Sequence, residues 1–321
     1  MGTGQATLAI FYDFAAAATA VGATAVAGGG YRVPEANASG GRVEPSRPSG
    51  VIPLRPLTFG ELLDAAVALL RTHFRLFPSA ALCLAAAEQA LLYPIRQWAD
   101  IYPPFYLPYS DRLGPFWVVL STGFGTEAAI LALLGGLTGI SAAATFSGVE
   151  LRGRAVLRGA LRRLAPLVVI AVAAGLLVGL AASALFLPWL LLFGMVGLAG
   201  PALVVERVGP FRALGRSFRM SLRGARAFWL RLGAYLTWLA IRLALGIGGL
   251  ALLNLVLPAS RDWRTAISVV TWLLVDTVAY ATLACFDAVL YLDTRMRTEG
   301  LDITVSRQLR RRVPVELAVQ R

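Results

Sequence analysis

Residues 168–205 read VVIAVAAGLLVGLAASALFLPWLLLFGMVGLAGPALVV, with no charged side chain anywhere in the run. A stretch of about 20 apolar residues is enough to cross the hydrocarbon core of a bilayer as a helix. This run is long enough for two crossings, and the chain holds several more of the same kind. Apolar segments fall at about 77–95, 117–146, 167–186, 189–205, 228–257 and 265–292. The fourth is the weakest, short and broken by Gly194, Gly197, Gly200 and Pro201. Composition agrees: 57% of the 321 residues are hydrophobic, 15% are charged, and the mean hydropathy is +0.68. Those values lie outside the globular norm. The expected fold is an all-α, polytopic membrane helical bundle with about six transmembrane helices, plus amphipathic interfacial helices.

The arginines set the expected orientation. The net charge is +12, and all thirty basic residues are arginine, a pattern of GC-rich bacterial coding. In a soluble chain such a charge would point to nucleic acid, but here it gathers between the apolar runs, so nucleic acid is not expected as a partner. Residues 150–163 carry Arg152, Arg154, Arg158, Arg162 and Arg163 against Glu150, and residues 206–231 carry seven arginines against Glu206. A single span through 168–205 would put these two loops on opposite sides, against the positive-inside tendency. Two passes, or a re-entrant segment, keep both in the cytoplasm. The 96–116 loop, rich in Tyr, Phe and Pro, and the short 258–264 loop then lie outside. The tail after 293 is arginine-rich, so a multi-pass plasma-membrane protein with cytoplasmic N- and C-termini is expected.

Before the first span, residues 1–30 lack the basic start of a signal peptide, and 31–56 form a Pro/Gly/Ser-rich linker. Residues 1–56 are expected to be disordered or poorly ordered, 57–305 to form the membrane domain, and 306–321 a basic cytoplasmic tail. Thr58 and Glu61 have the spacing of a capping box. The helix they open places Leu62, Ala66, Leu69 and Leu70 on one side, as a helix on the membrane surface would.

Within RALGRSFRMSLRGAR (212–226), Arg212, Arg216, Arg219, Arg223 and Arg226 repeat at four, three, four and three residues. At 100° per residue they fall within about 80° of one another. Phe211, Leu214, Phe218 and Ala225 lie opposite. The pattern predicts a helix at the inner surface, its apolar side in the acyl boundary and its arginines on anionic lipid headgroups.

Ionisable groups inside the apolar runs are costly, about 2.5–3.5 kcal/mol each on insertion scales, and need partners. The candidates are Glu88, Glu127, Arg231, Arg242, Asp276 and Asp287. If the last two spans form an antiparallel hairpin around Pro258, residues at equal depth have positions with a constant sum. Arg242 with Asp276, and Arg231 with Asp287, give the same sum, and each like pair is eleven apart, three helical turns. Two ion pairs are predicted, Arg242–Asp276 at mid-depth and Arg231–Asp287 near the cytoplasmic edge, with snorkelling to the headgroups the alternative for Arg231. Trp272, Tyr280 and Tyr291 share the face of the two aspartates. Glu88 and Glu127 either complete a polar cavity with Arg242 or pair with Arg96 and Arg112. Structural ion pairing is the favoured reading, a proton or substrate path the functional one.

Rows of small residues, Gly135, Gly139 and Ala143 in the second span and Ala171, Gly175, Gly179 and Ser183 in the third, predict that these two helices touch. A homodimer through the same rows is the minority reading. Cys83 and Cys285 sit in apolar runs and are expected to be buried thiols. With His73 the only histidine, no metal site and no cofactor are expected. No nucleophile elbow, Walker loop or cofactor-binding glycine signature occurs in a strand–helix context, so no catalytic residues are assigned.

RPLTFGELLDAAVALLRTHF (55–74), PALVVERVGPFRALGRSFRMSLRG (201–224) and YLDTRMRTEGLDI (291–303) resemble three landmarks of a bacterial family of integral membrane proteins. That family is named for the membrane domain joined to some glycerophosphodiester phosphodiesterases. The resemblance covers roughly 55–305 and implies a helical membrane bundle standing without a catalytic domain, since a catalytic barrel of that type needs about 250 residues. In the third landmark, Asp293, Arg295, Arg297, Glu299 and Asp302 bring both signs together around a helix stop at Gly300. This cluster is expected to tie the tail to the basic loop through Glu206 or the 212–226 arginines. The expected function is a non-enzymatic membrane scaffold or accessory component, with a membrane-protein partner or a second copy as possible partners. The alternative is a transporter for a small or amphiphilic substrate.

Overall fold

A computed structural model of the chain describes residues 52, 55–101, 113–184, 186–223, 225–256, 260–310 and 317. The expectations for residues 1–51, most of the 96–116 loop and the end of the tail lie outside the described residues. Among them, all regular structure is helical. The helices are α1 (Phe59–Thr72), α2 (Leu76–Trp98), α3 (Leu113–Phe146), α4 (Gly153–Leu161), α5 (Leu164–Ala184), α6 (Phe186–Val196), α7 (Ala199–Val205), α8 (Pro210–Leu222) and α9 (Arg226–Leu243). A π-helical turn (Ala244–Gly248) then leads into α10 (Gly249–Val256), α11 (Arg261–Glu299) and α12 (Leu301–Arg310).

Six helical stretches are long and apolar enough to cross a membrane: 76–98, 113–146, 164–184, 187–205, 226–252 and 263–299. They match the six apolar runs of the sequence to within a few residues at most ends. The packing is that of a chain dissolved in lipid. Leu176, Leu180, Leu187, Leu252 and Leu255 are each more than 60% exposed, while Glu127, Arg231, Asp276 and Asp287 are each 2% exposed or less. A water-soluble fold reverses that arrangement; this is a multi-pass membrane protein.

Helices α3 and α11 pack against each other at the centre. α5 and α7 flank α3, while α1, α2 and α9 flank α11. Helix α3 shows no single apolar face and buries residues on several sides, as a helix packed against several others does, and its Thr138 hydroxyl donates to the Ala284 carbonyl of α11 at 2.9 Å. The fourth span breaks between α6 and α7, at the glycines that mark it in the sequence. The break places Gly197 beneath a buried guanidinium: a Cβ there would overlap Arg231 Nε.

The small-residue rows meet only in part as expected. Helices α3 and α5 do touch, but through Gly125 of α3 against Gly175 and Gly179 of α5. Gly135 and Gly139 face Pro201 of α7 instead, because the short α7 crosses α3 where those two glycines leave room. Helix α12 (Leu301–Arg310) carries Val305 fully buried. Two further readings are corrected. Residues Arg261–Arg264 form the first turn of α11 and not a loop. Cys285 is buried but Cys83 is exposed, since it lies on the outward side of α2.

Helix α1 opens with the expected capping box. The Thr58 hydroxyl accepts from Glu61 N at 3.4 Å, and Glu61 Oε2 accepts from Thr58 N at 2.8 Å. The Arg55 guanidinium, hydrogen-bonded to Glu61, and then the Thr58 backbone N–H hold the Glu61 carboxyl down at about 2. Leu62, Ala65, Ala66 and Leu69 turn into the bundle, mainly against α11, whereas Leu70 is half-buried. At the end of α1, burial pushes the His73 imidazole below its ordinary value, and its ring meets Phe77 edge-on at 5.4 Å.

Candidate functional site: charged groups inside the bundle

Both expected pairs form. Arg242 Nε lies 2.8 Å from Asp276 Oδ1, and Arg231 Nε lies 2.9 Å from Asp287 Oδ1. Equal depth in an antiparallel helix pair brings each guanidinium opposite its carboxylate. Arg231 does not snorkel. It is 2% exposed, donates also to the Phe193 carbonyl, and lies over the Phe193 ring at 4.5 Å. A guanidinium with three such partners is more stable buried than stretched past them to a headgroup.

The mid-depth pair belongs to a larger network. Arg242 also pairs with Glu127 of α3, whose second carboxylate oxygen accepts from the Tyr235 hydroxyl at 3.0 Å. Tyr280 donates to Glu88 at 2.6 Å and stands 3.4 Å from an Arg242 nitrogen. The Thr126 hydroxyl lies 2.8 Å from the other Glu88 oxygen. From Asp276 a chain leads away from the centre: Gln89 Nε2 donates to Asp276 at 3.3 Å, and Arg96 donates to Gln89 Oε1 at 2.8 Å. Glu88 and Glu127 therefore join Arg242, the first of the two arrangements open to them. Four helices, α2, α3, α9 and α11, contribute side chains to one hydrogen-bonded cluster.

Tyr235, Gln89 and Thr126 carry part of this site without standing out in the sequence. A signal exists for two of them. Tyr235 is four residues past Arg231 and seven before Arg242, on one helical stripe; Gln89 is seven before Arg96. Thr126 has none beyond its place beside Glu127.

A cavity of about 300 Å³ borders the cluster. Its polar lining is Glu88, Gln89, Arg96, Glu127, Arg242 and Asp276, and its walls are apolar, among them Leu92, Phe116, Leu120, Leu239 and Trp272. It extends from mid-depth toward the end of the bundle where α2 stops and α3 begins. The π-helical turn directly follows Arg242 and bears Gly246, where a Cβ would stand 2.6 Å from Trp272. Such single π turns recur at functional sites; this one seats Trp272 against bare backbone in the cavity wall. Beside the cavity, Phe124 stacks on Trp189 at 4.0 Å, and the Phe193 and Tyr235 rings meet at a tilt with centroids 3.8 Å apart.

The opposite end carries a third cluster. Arg216 pairs with Glu206 at 2.8 Å and with Glu299. Tyr291 donates to Glu206 at 2.7 Å, and Arg295 pairs with Glu299 at 3.0 Å. Arg226 and Arg297 both pair with Asp293 and both donate to the Leu57 carbonyl, while Asp293 accepts from Leu57 N at 2.8 Å. The charged end of α11, stopped at Gly300 with φ 63°, thus ties to Glu206 and the 212–226 arginines as expected, and it also holds the entry to α1 at Leu57, which the charge pattern did not indicate.

This cluster corrects the lipid-contact reading of that segment. Arg216 and Arg226 are spent on protein carboxylates. Arg212, Arg219 and Arg223 remain exposed. The apolar side is also different. Ala213, Ser217 and Met220 are buried against the bundle, whereas Phe211 is 73% exposed. Helix α8 docks on α7, and of the residues expected on the apolar side Leu214 and Phe218 are partly buried against the core as well. Among the described residues, no group of three or more His, Cys, Asp or Glu is placed to hold a metal ion. No protein-family model, curated protein or solved structure matches the chain.

Proposed function

We propose that this protein is a non-enzymatic membrane carrier that binds a small amphiphile in the cavity beside Arg242. The observation that supports this reading is the coincidence of the 300 Å³ cavity with the intramembrane charge cluster. Charged groups whose only role is to hold helices together are better served by a dry, filled surround, because water or ligand beside an ion pair weakens it. Three carboxyl groups, Glu88, Glu127 and Asp276, border the space against the one deep guanidinium of Arg242, with Arg96 toward the mouth. That balance, within apolar walls, suits a ligand with a cationic head and a short apolar body.

The scaffold reading has its own support: Arg242 already pairs with both Glu127 and Asp276, and Arg231–Asp287 forms a second ion pair of buried residues. We place the carrier in the plasma membrane of a bacterium with both termini in the cytoplasm, on the arginine distribution. Membership of the family resembled at 55–305 is part of the same proposal, as is contact of Arg212, Arg219 and Arg223 with anionic headgroups.

Proteoliposomes loaded with the purified chain test the reading. A panel of small amphiphilic amines, with neutral and anionic counterparts, is assayed for uptake against Leu120→Trp, which fills the cavity without touching a charge. Uptake of amines by the wild type, lost in Leu120→Trp, is the expected result. Equal uptake by both proteins and by empty liposomes sinks the carrier and leaves the scaffold.

A further inference from the structure

A second concavity, of about 630 Å³, lies at the arginine-rich end, away from the carrier cavity. It is formed where α3 and α7 end and α4 passes into α5. Arg162, Arg163 and Arg207 line it, Ser147 adds a hydroxyl, Leu317 lies at its edge, and no carboxylate is among its described lining residues. Its floor is apolar, made by the ends of α3 and α7 at Ile140 and Val204.

The contrast with the neighbouring cluster is informative. At the same end of the bundle, Arg216, Arg226, Arg295 and Arg297 are each paired with a carboxylate. Glu206 is adjacent in sequence to Arg207 but turns inward to Arg216 and Tyr291. The chain reverses between them through a left-handed backbone at Arg207, φ 54°. A non-glycine residue held in that region is strained, and such strain gathers at binding sites. Here it sends one side chain of the Glu206–Arg207 pair into the ion cluster and the other to the empty concavity.

We propose that this concavity binds a phosphate group, with an anionic membrane lipid as its bearer. Guanidinium groups match phosphate oxygens with paired hydrogen bonds, and three lining one concavity with no carboxylate among its described lining residues leave a site that an anion completes. The volume exceeds that of bare phosphate. The apolar floor at the edge of the membrane-spanning region is suited to the first carbons of an acyl chain.

The test uses the full chain purified in neutral detergent and titrated with phosphatidylglycerol, phosphatidylcholine or inorganic phosphate, read by native mass spectrometry and by melting temperature. The wild type is expected to retain phosphatidylglycerol over phosphatidylcholine. The triple variant Arg162→Gln, Arg163→Gln, Arg207→Gln is expected to lose about tenfold or more in that affinity, as charge-assisted contacts to phosphate disappear. A matched triple of exposed arginines outside the concavity, Arg152→Gln, Arg154→Gln, Arg158→Gln, removes the same charge and is expected to change affinity by about twofold at most, as for a general surface field. Arg207→Gly alone relieves the backbone strain, so it is expected to keep or raise the melting temperature while weakening lipid retention. It serves where the triple variant fails to fold. Competition by millimolar inorganic phosphate assigns the site to a soluble phosphate, and its failure assigns it to the lipid. Equal weakening by both triples, or by neither, overturns the proposal. None of these outcomes depends on uptake through the other cavity.

Discussion

Arg242 is held between two carboxylates, and that changes what a mutation there does. Removing the guanidinium with Arg242→Leu leaves the buried carboxylates of Glu127 and Asp276 without the cation they share. Breaking a buried pair in this way costs about 3–5 kcal/mol, so a large fall in melting temperature in detergent is expected. The reciprocal exchange Arg242→Asp with Asp276→Arg would rescue an isolated pair. In this cluster it sets the new aspartate beside Glu127, so recovery is expected to be partial at best, and full only when Glu127→Gln is added. Full rescue by the double exchange alone would show that the Glu127 contact contributes little. His73 offers a pH signature outside the membrane. Burial lowers its folded value, so its contribution to stability is complete above about 6.5, the unfolded value, and is lost as pH falls through the lower folded one. The melting temperature of the wild type should therefore drop more steeply than that of His73→Gln below about pH 6.5; parallel curves would remove His73 as the cause.

At the scale of elements, close approach decides which small residues matter. Gly197 lies under the Arg231 guanidinium, and Gly197→Ala puts a methyl group where Nε stands. The pair with Asp287 must then shift, and the melting temperature should fall by several degrees, about the effect of 1–3 kcal/mol of overpacking. Gly215, midway along α8, is exposed, and a Cβ added there would meet nothing within 4 Å. Gly215→Ala is expected to stabilise by about 1 kcal/mol through helix propensity alone. If the two substitutions behave alike, the tight seat of Arg231 is wrong. Element boundaries followed from hydropathy because crossing a bilayer fixes a helix length. Helix partners did not: Gly135 and Gly139 look the same in sequence whether α5 or α7 fills the gap, and only the crossing of α7 over α3 chooses.

For the whole molecule, the two basic segments provide the decisive measurement. Single cysteines placed at Arg154 and Arg219, in a chain with Cys83→Ser and Cys285→Ala, should label alike with a membrane-impermeant thiol reagent: protected in intact cells and reactive once the membrane is opened. Opposite labelling would mean that the 164–205 region crosses only once, and the orientation of every later helix would reverse. The third ion cluster gives the same end of the molecule a rigid closure, since Asp293 accepts from the Leu57 backbone while Arg226 and Arg297 hold the Leu57 carbonyl. The start of α1, the 212–226 segment and the end of α11 are therefore one unit at that end.

The amino-acid sequence alone was enough for the number of membrane-length helices, the matching depth of Arg242 with Asp276 and of Arg231 with Asp287, and so for two of the ion pairs. Those depend on helix rise and on the cost of charge in hydrocarbon, both of which act along a single element. What the tertiary structure decided is azimuth: which face meets which neighbour. That placed Glu127 and Tyr235 on Arg242, took Arg216 and Arg226 from the lipid to Glu206, Glu299 and Asp293, and left a cavity beside the charges. Rotation of one helix about its axis costs nothing in lipid until its neighbours are in place, so no local pattern in the chain records it.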